Sequence, residues 1–244
     1  LILWPEAAIP EFIEFEPYAR LRIASLLGPR DMLLAGGVSL IGDDQNRVIA
    51  ARNSLFALAS DGRITGRYDK SHLVPYGEYL PMRPILSAIG LSRLVPGDLD
   101  FWPGPGPQSL EIPGFGKVGM QICYEIIFPG HVIDERNRPL FLFNPSNDAW
   151  FGAWGPPQHL AQARLRAIED GVPVVRSTPT GISAVVDTNG VILQRIPRDT
   201  GGYIEMRVPP LAPPTLFARV GNLLSLALAL LLAALAVAMR RRAR

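Results

Sequence analysis

Apolar residues recur along the chain with two different spacings, and each spacing predicts a different kind of element. Short apolar or alternating runs are typical of β-strands, whereas apolar positions three and four residues apart are typical of amphipathic helices. Strands are predicted at 1–4, 32–41, 53–60, 63–70, 117–125, 140–143, 172–177, 183–187, 191–196 and 203–208. Helices are predicted at 11–27, 81–91 and 156–170. Alternating strands and helices followed by hairpins predict an α/β domain, with a mixed sheet or two sheets flanked by helices.

The C-terminal part of the chain has the composition of a membrane-spanning helix. Residues 220–239 carry no charge and are rich in Leu and Ala, and arginines follow directly at 240, 241, 242 and 244. About 20 apolar residues are needed to cross a bilayer, and flanking arginines favour the cytoplasmic side. A buried core helix is the alternative, but the arginine cap favours the membrane. The domain before this helix is therefore expected on the extracytoplasmic side of a bacterial inner membrane.

Net charge and cysteine count exclude some classes of function, and proline positions indicate where the main domain ends. The formal net charge of +2 gives no indication of nucleic-acid binding. The single cysteine excludes an internal disulfide and a zinc site built from several cysteines. Pro pairs before the apolar run indicate a stiff linker. We predict a main domain at 1–208, a linker at 209–219, a membrane helix at 220–239 and a basic cytoplasmic tail at 240–244.

An acid, an amine and a thiol each end an apolar run. Glu6, Lys70 and Cys123 occupy these positions, and Cys123 is the only cysteine in the chain. Strand ends in α/β folds converge on one edge of the sheet, where sites are commonly built. The sequence therefore predicts that these three side chains meet.

The three side chains have complementary chemical uses. A glutamate can take the thiol proton as a general base and return it as an acid. A lysine can lower the thiol pKa and stabilise an oxyanion, and a cysteine can carry an acyl group as a thioester. Taken singly, Cys123 is more simply interpreted as a buried structural thiol, and Glu6 and Lys70 as members of a surface salt bridge.

Four motifs resemble those of the nitrilase superfamily, and within it they are most similar to the bacterial apolipoprotein N-acyltransferases. The motifs are WPE at 4–6, YDKSHLVPYGEYLP at 68–81, GMQICYE at 119–125 and NPSNDAWFG at 144–152. Soluble amidases share WPE and the asparagine motif, whereas the apolar helix with its basic tail favours the acyltransferases. The resemblance covers nearly the whole chain.

The resemblance implies an α/β fold of the nitrilase type, an αββα sandwich, followed by one C-terminal transmembrane helix. The Glu–Lys–Cys triad of the family corresponds to Glu6, Lys70 and Cys123. Members of the family also have an N-terminal bundle of membrane helices and a first strand and helix of the catalytic domain. Those parts are expected to precede Leu1.

The reaction implied by the resemblance moves an acyl chain from a phospholipid to the N-terminal amine of a diacylglyceryl-cysteine lipoprotein. It is a ping-pong reaction through a thioester on Cys123, with no cofactor or metal. Two further glutamates of the family correspond to Glu78 and Glu125. With Tyr124, they are expected to orient Lys70 or shape the oxyanion site. The expected partners are the phospholipid donor, the apolipoprotein acceptor and the membrane.

A loop and an asparagine-rich segment are predicted to form the substrate pocket. Residues 92–113 are interrupted by Pro and Gly, which predicts a long loop without regular structure. Exposed apolar residues mark membrane or ligand contact, so we predict a mobile lid facing the bilayer; the alternative is that its side chains fold inward. The pocket and lid residues are Leu94, Phe101, Trp102, Asn144, Trp150 and Phe151, of which the aromatic pair at 150–151 could equally be core.

Two other features have weaker functional interpretations. Residues 114–119 spell G-x-G-x-x-G, but a dinucleotide site requires a helix after this pattern, and a strand follows here. The histidines at 72, 131 and 159 form no metal motif. His72 could act as a base in a Cys–His pair. An orienting role beside Lys70 fits better, because Glu6 and Lys70 already supply the proton and the charge.

Two other functions remain open on the sequence alone. One is a membrane-tethered hydrolase of the amidase or nitrilase type, which requires water to reach the thioester; an apolar pocket would favour transfer instead. The other is a non-catalytic module that binds lipid or a partner, which the intact set of Glu6, Lys70 and Cys123 disfavours.

Overall fold

The computed structural model describes residues 1–45, 47–92 and 100–242. Its strands are β1 (Ile2–Leu3), β2 (Met32–Gly42), β3 (Val48–Ala59), β4 (Ile64–Asp69), β5 (Gln108–Ile112), β6 (Gly116–Met120), β7 (Phe141–Pro145), β8 (Val174–Ser177), β9 (Ser183–Val186) and β10 (Ile192–Ile196). Its α-helices are α1 (Pro17–Ala24), α2 (Arg83–Ala88), α3 (Gly155–Asp170), α4 (Leu216–Val220) and α5 (Leu223–Arg242). Short 3₁₀ turns lie at Cys123–Ile127, Glu135–Asn137 and Asp148–Phe151.

The strands form two sheets. The first has the order β1-β2-β3-β4, in which β1 is parallel to β2 and the other pairs are antiparallel. The second has the order β10-β9-β8-β7-β6-β5. Its central strands β6, β7 and β8 are parallel. Parallel neighbours need a long crossover, and α3 lies within the connection between β7 and β8.

The two sheets pack face to face through one apolar core. Side chains alternate between the faces of a strand, so Leu34 points between the sheets while Leu33 points outward. The buried side chains between the sheets are Met32, Leu34, Leu55, Ala57, Tyr68, Ile112, Val118, Met120, Ile122, Cys123, Phe141 and Phe143. The candidate nucleophile Cys123 therefore belongs to this core.

Helices cover the outer face of each sheet. Ala19 and Ile23 of α1 pack against the first sheet. Leu160, Ala163 and Ala167 of α3 pack against the second sheet at the three- and four-residue spacing of a helix face. The layers are thus helix, sheet, sheet and helix, and the predicted αββα sandwich is confirmed.

Two predictions of local structure were wrong. The strand predicted at 203–208 is absent, because this segment pairs with no strand in the part of the chain that the structure describes. Conversely, β5 lies inside the segment predicted as an irregular loop. The prolines at 103, 105 and 107 precede Gln108 and the next is Pro113, so β5 is free of proline and pairs antiparallel with β6. Gly114 and Gly116 allow the intervening tight turn because both have positive φ.

The predicted first helix and the predicted cysteine strand are both shorter than their apolar patterns. Proline is favoured in the first turn of a helix, and α1 begins at Pro17 rather than at residue 11. The strand β6 ends at Met120. The chain then turns into the 3₁₀ segment that begins at Cys123, so the cysteine lies on a turn after the strand.

The C-terminal segment is attached to the sandwich before the apolar helix begins. The Arg138 guanidinium donates to the carbonyl of Ala212 at 3.0 Å. The Asn222 amide, directly before α5, donates to the carbonyl of Pro129 at 3.1 Å. Residues 223–241 of α5 have a mean hydropathy of 2.3 and are exposed throughout, which is long and apolar enough to cross a bilayer.

Candidate active site

Cys123 occupies an unusual backbone conformation at the start of the 3₁₀ turn. Its φ is +51°, in the left-handed region that residues with a side chain rarely adopt. Such strain persists only where the surrounding structure enforces it, and it clusters at functional sites. The thiol is buried and faces a cavity between the sheets and α3.

Glu6 reaches the same cavity because its segment lies directly on β2. The Gly36 N–H donates to the carbonyl of Pro5 at 3.1 Å. A Cβ at position 36 would lie 2.7 Å from the Cα of Glu6 and 2.6 Å from the nitrogen of Ala7. The close approach therefore requires glycine at position 36.

Lys70 follows β4 and is fully buried. Its ammonium donates to Oε1 of Glu78 at 2.9 Å and lies 3.5 Å from Oε1 of Glu6. The backbone N–H of Lys70 donates to the backbone carbonyl of Asn53 on the neighbouring strand β3. Glu6, Lys70 and Cys123 thus line the same cavity, as the sequence predicted.

Two residues outside the predicted site hold the carboxylates. The Asn53 amide donates to Oε1 of Glu6 and to Oε1 of Glu78, both at 2.8 Å. The Asn147 N–H donates to Oε2 of Glu6 at 2.7 Å. Both carboxylates are therefore held as acceptors around Lys70.

The charges of the site oppose one another. Burial acts against the charge of Lys70, but the carboxylates of Glu6 and Glu78 act in the opposite direction, and the Lys70 pKa is raised. Burial and then the charge of Glu6 raise the pKa of the Cys123 thiol to about 12, although Lys70 and the Asn147 N–H act in the opposite direction. Lys70 is therefore cationic and the resting thiol is protonated near neutral pH. The expected lowering of the thiol pKa by Lys70 is present but is outweighed.

Glu125 connects the cysteine turn to the lysine loop. Its Oε2 accepts from the N–H of Ile122 at 2.7 Å. Its Oε1 accepts from the Tyr68 hydroxyl and from the N–H and hydroxyl of Ser71, all at 2.7 Å. Burial, and then the charge of Glu125, raise the pKa of Tyr68, which keeps that hydroxyl a donor. Glu125 thus ties the residue before Cys123 to the residue after Lys70.

A buried ion-pair network lies behind the cysteine turn. Arg176 on β8 donates to both oxygens of Asp148, at 2.6 and 2.7 Å. His159 on α3 contacts Asp148 through Nδ1 at 2.8 Å and the carbonyl of Cys123 through Nε2 at 3.0 Å. Although burial opposes ionisation, His159 and Arg176 lower the pKa of Asp148. The Asn144 amide also donates to the carbonyls of Gln121 and Cys123.

The cavity has a volume of about 680 Å³, within the range of roughly 300–1,000 Å³ typical of small-ligand sites. Of the predicted supporting and pocket residues, Glu78, Tyr124, Phe101 and Trp150 line it. Asn144 is fully buried behind the cysteine turn and does not line it, and Trp102 lies outside it as a half-exposed side chain. Leu94 is outside the described residues, and Phe151 ends the 3₁₀ turn that begins at Asp148.

Segment 100–104, within the predicted lid, is joined to the lysine loop. The Phe101 N–H donates to the carbonyl of Glu78 at 3.0 Å, and the Gly104 N–H donates to the carbonyl of Lys70 at 2.8 Å. A Cβ at position 104 would lie 2.1 Å from the carbonyl oxygen of Asp69, so only glycine fits there. This end of the loop is therefore fixed beside the site.

His72 does not face the thiol across the cavity. Its exposed ring stacks on Phe128 with a centroid separation of 4.2 Å, and Phe128 meets Tyr124 edge-on at 5.1 Å. The backbone N–H of His72 donates to Oε1 of Glu125 at 3.1 Å. These contacts join the lysine loop to the cysteine turn. Within the part of the chain that the structure describes, no group of three His, Cys, Asp or Glu side chains is arranged to hold a metal ion.

The fold belongs to a known structural class. A Saccharomyces cerevisiae member of branch 10 of the nitrilase superfamily superposes with a TM-score of 0.56 at 20% identity, over 82% of this chain and 73% of that one. An amidase from Nesterenkonia sp. superposes with a TM-score of 0.55 at 20% identity, over 82% of this chain and 73% of that one. The αββα sandwich is therefore of the nitrilase type.

The family model of the carbon-nitrogen hydrolases matches residues 1–210, and the chain belongs to this family. Apolipoprotein N-acyltransferase from Rhodopseudomonas palustris is 41% identical over 225 residues, which are 91% of this chain and 42% of the relative. The protein of the same name from Bradyrhizobium diazoefficiens is 40% identical over 244 residues, 99% of this chain and 45% of the relative. The chain thus spans less than half the length of these curated relatives.

Proposed function

We propose that the protein is a phospholipid:apolipoprotein N-acyltransferase. It transfers an acyl chain through a thioester on Cys123 to the N-terminal amine of a diacylglyceryl-cysteine lipoprotein. The observation that carries the proposal is that Glu6, Lys70 and Cys123 line one cavity in a chain about 40% identical to proteins named for this activity.

The first half-reaction forms the thioester. Glu6 takes the thiol proton as Sγ of Cys123 attacks the ester carbonyl of the phospholipid, because a thiol with a raised pKa must lose its proton during the attack. The oxyanion is stabilised by the Lys70 ammonium and by the N–H of Tyr124, which lies in the first turn of a helix and lacks a partner within it. Collapse expels the lysophospholipid alkoxide, which takes the proton from Glu6.

The second half-reaction returns the enzyme to its resting state. The lipoprotein amine attacks the thioester carbonyl, and Glu6 accepts the proton that the nitrogen loses. The tetrahedral intermediate expels the Cys123 thiolate, which recovers its proton from Glu6, and the product is an amide. Glu78 and Asn53 orient Lys70 and Glu6 throughout, which the hydrogen bonds between them support.

The membrane places both substrates beside the site. In this proposal residues 1–208 form the catalytic domain, 209–219 the linker, 220–239 the membrane helix and 240–244 a cytoplasmic tail. The domain then lies on the extracytoplasmic face of the inner membrane. In this proposal the part of the predicted lid that precedes β5, including Leu94 and Trp102, covers the cavity. The exposed apolar length of α5 supports this arrangement.

The test supplies both substrates to the purified protein in detergent micelles. The donor is a phospholipid labelled in its acyl chain, and the acceptor is a synthetic diacylglyceryl-cysteinyl peptide. We expect the label as an amide on the peptide, no transfer to an N-acetylated control peptide, and no transfer by Cys123→Ala. Release of labelled fatty acid alone would make the protein a hydrolase, and lipid binding without turnover would make it a binding module.

A further inference from the structure

The main-chain carbonyl of Cys123 is held from behind by two side-chain donors. Nε2 of His159 lies 3.0 Å from this oxygen, and Nδ2 of Asn144 lies 3.4 Å from it. Neither side chain touches the thiol in the described contacts. Because a carbonyl oxygen can only accept, Nε2 of His159 must carry a hydrogen.

The other side of the imidazole is fixed by buried charges. Nδ1 lies 2.8 Å from Oδ1 of Asp148 and 3.0 Å from Nη2 of Arg176. Nδ1 can accept from Arg176 or, when protonated, donate to Asp148. In both protonation states Nε2–H still points at Cys123. His159 is therefore committed as a donor to the backbone and is not available as a base for the thiol.

Holding this carbonyl determines the direction of the next N–H group. In a trans peptide the C=O and N–H bonds point to opposite sides. The Cys123 carbonyl that accepts from His159 therefore directs the Tyr124 N–H away from His159. Cys123, Tyr124 and His159 all line the cavity. The carbonyl held in this way belongs to a residue with a φ of +51°.

We infer that His159 is a positioning residue, set by Asp148 and Arg176, that fixes the Cys123–Tyr124 peptide and thereby aims the oxyanion donor. The inference rests on the proposed function for the role of the Tyr124 N–H. It assigns His159 a function through the backbone, in addition to its place in the lining of the cavity.

Two substitutions that differ by one methylene test this inference. The amide nitrogen of glutamine stands as many bonds from Cα as Nε2 of histidine, so His159→Gln can still donate to the Cys123 carbonyl. The amide nitrogen of asparagine corresponds instead to Nδ1, so His159→Asn can contact Asp148 or Arg176 but cannot reach the carbonyl. Thermal melting of both variants verifies that they fold.

The assay compares two reactions of Cys123 in the purified protein. The burst of p-nitrophenol from a p-nitrophenyl ester requires an oxyanion donor, whereas alkylation by iodoacetamide does not. We expect ester acylation by His159→Asn to fall about 100-fold, as for a misplaced catalytic group, while its alkylation rate stays near that of the wild type. We expect His159→Gln to acylate within a few-fold of the wild-type rate.

Three results would overturn the inference: equal impairment of the Gln and Asn variants, undiminished acylation by His159→Asn, or a parallel loss of acylation and alkylation. The ester and the alkylating reagent are not lipids, so these outcomes do not depend on phospholipid turnover. Failure of the wild type to use phospholipid, with the Gln and Asn variants behaving as expected, would reject the proposed function alone.

Discussion

Asn53 offers the sharpest perturbation of the carboxylates, because one amide group donates to both. Its Nδ2 lies 2.8 Å from Oε1 of Glu6 and 2.8 Å from Oε1 of Glu78. Asn53→Asp preserves the shape of the side chain but replaces this donor with a third carboxylate. The single ammonium of Lys70 then faces three acids.

The expected effect follows from the distances. Two unit charges about 4 Å apart repel by about 4 kcal/mol at an effective dielectric constant near 20. Since one pKa unit corresponds to about 1.4 kcal/mol, the carboxylate cluster should bind its proton about two to three units higher in pH than in the wild type. The acid limb of the pH–rate profile should therefore move to higher pH, so acylation falls at neutral pH and recovers in alkaline solution.

The assay is the rate of the p-nitrophenol burst from a p-nitrophenyl ester, measured across pH. Asn53→Leu is the matched control, because it also removes both hydrogen bonds but adds no charge. The acid limb of its pH–rate profile should move by at most about one pH unit. Equal displacement of the acid limb in the Asp and Leu variants would refute the electrostatic reasoning. An unshifted limb in Asn53→Asp would refute the assignment of this cluster as the base.

Other substitutions test the remaining parts of the account. Gly36→Ala should cost about 1–3 kcal/mol and slow acylation, because its Cβ would lie 2.7 Å from Glu6 Cα; an unchanged melting temperature would contradict this. Glu125→Gln should cost about 2–3 kcal/mol in urea unfolding, because an amide cannot accept all five of these hydrogen bonds; wild-type stability would contradict it. Burial raises the pKa of Asp170 to about 6, above its unfolded value, so wild-type stability should fall by up to about 3 kcal/mol as pH rises from about 4 to 7. Asp170→Asn should lack this loss of stability. If the melting temperatures of the two proteins change in parallel across pH, the raised pKa of Asp170 is contradicted.

The sequence predicted the layers of the fold because burial imposes periodicity. Leu33 and Leu34 point to opposite faces of β2, and both faces are buried, so the strand is a continuous apolar run in the sequence. The segment at 203–208 has the same kind of pattern, but it pairs with no strand among the residues that the structure describes. Local pattern therefore predicts which segments can form strands, whereas pairing depends on the whole sheet.

The candidate site was predictable where a polar residue interrupts an apolar run. Glu6, Lys70 and Cys123 each stand at such an interruption. His159 gave no such signal, because it lies on α3 and reaches Cys123 only through the packing of that helix on the second sheet. Asn53 is the first residue of a predicted strand, and its role depends on the register that places it beside Lys70.

The acyl-enzyme on Cys123 is the central claim, and peptide mass spectrometry tests it most directly. The purified protein is incubated with a phospholipid of defined acyl chain, digested and mapped. The account predicts the mass of that acyl chain on the peptide containing Cys123, and its disappearance when a diacylglyceryl-cysteinyl peptide is added. An unmodified Cys123 that iodoacetamide still alkylates, or an acyl group on another residue, would contradict it.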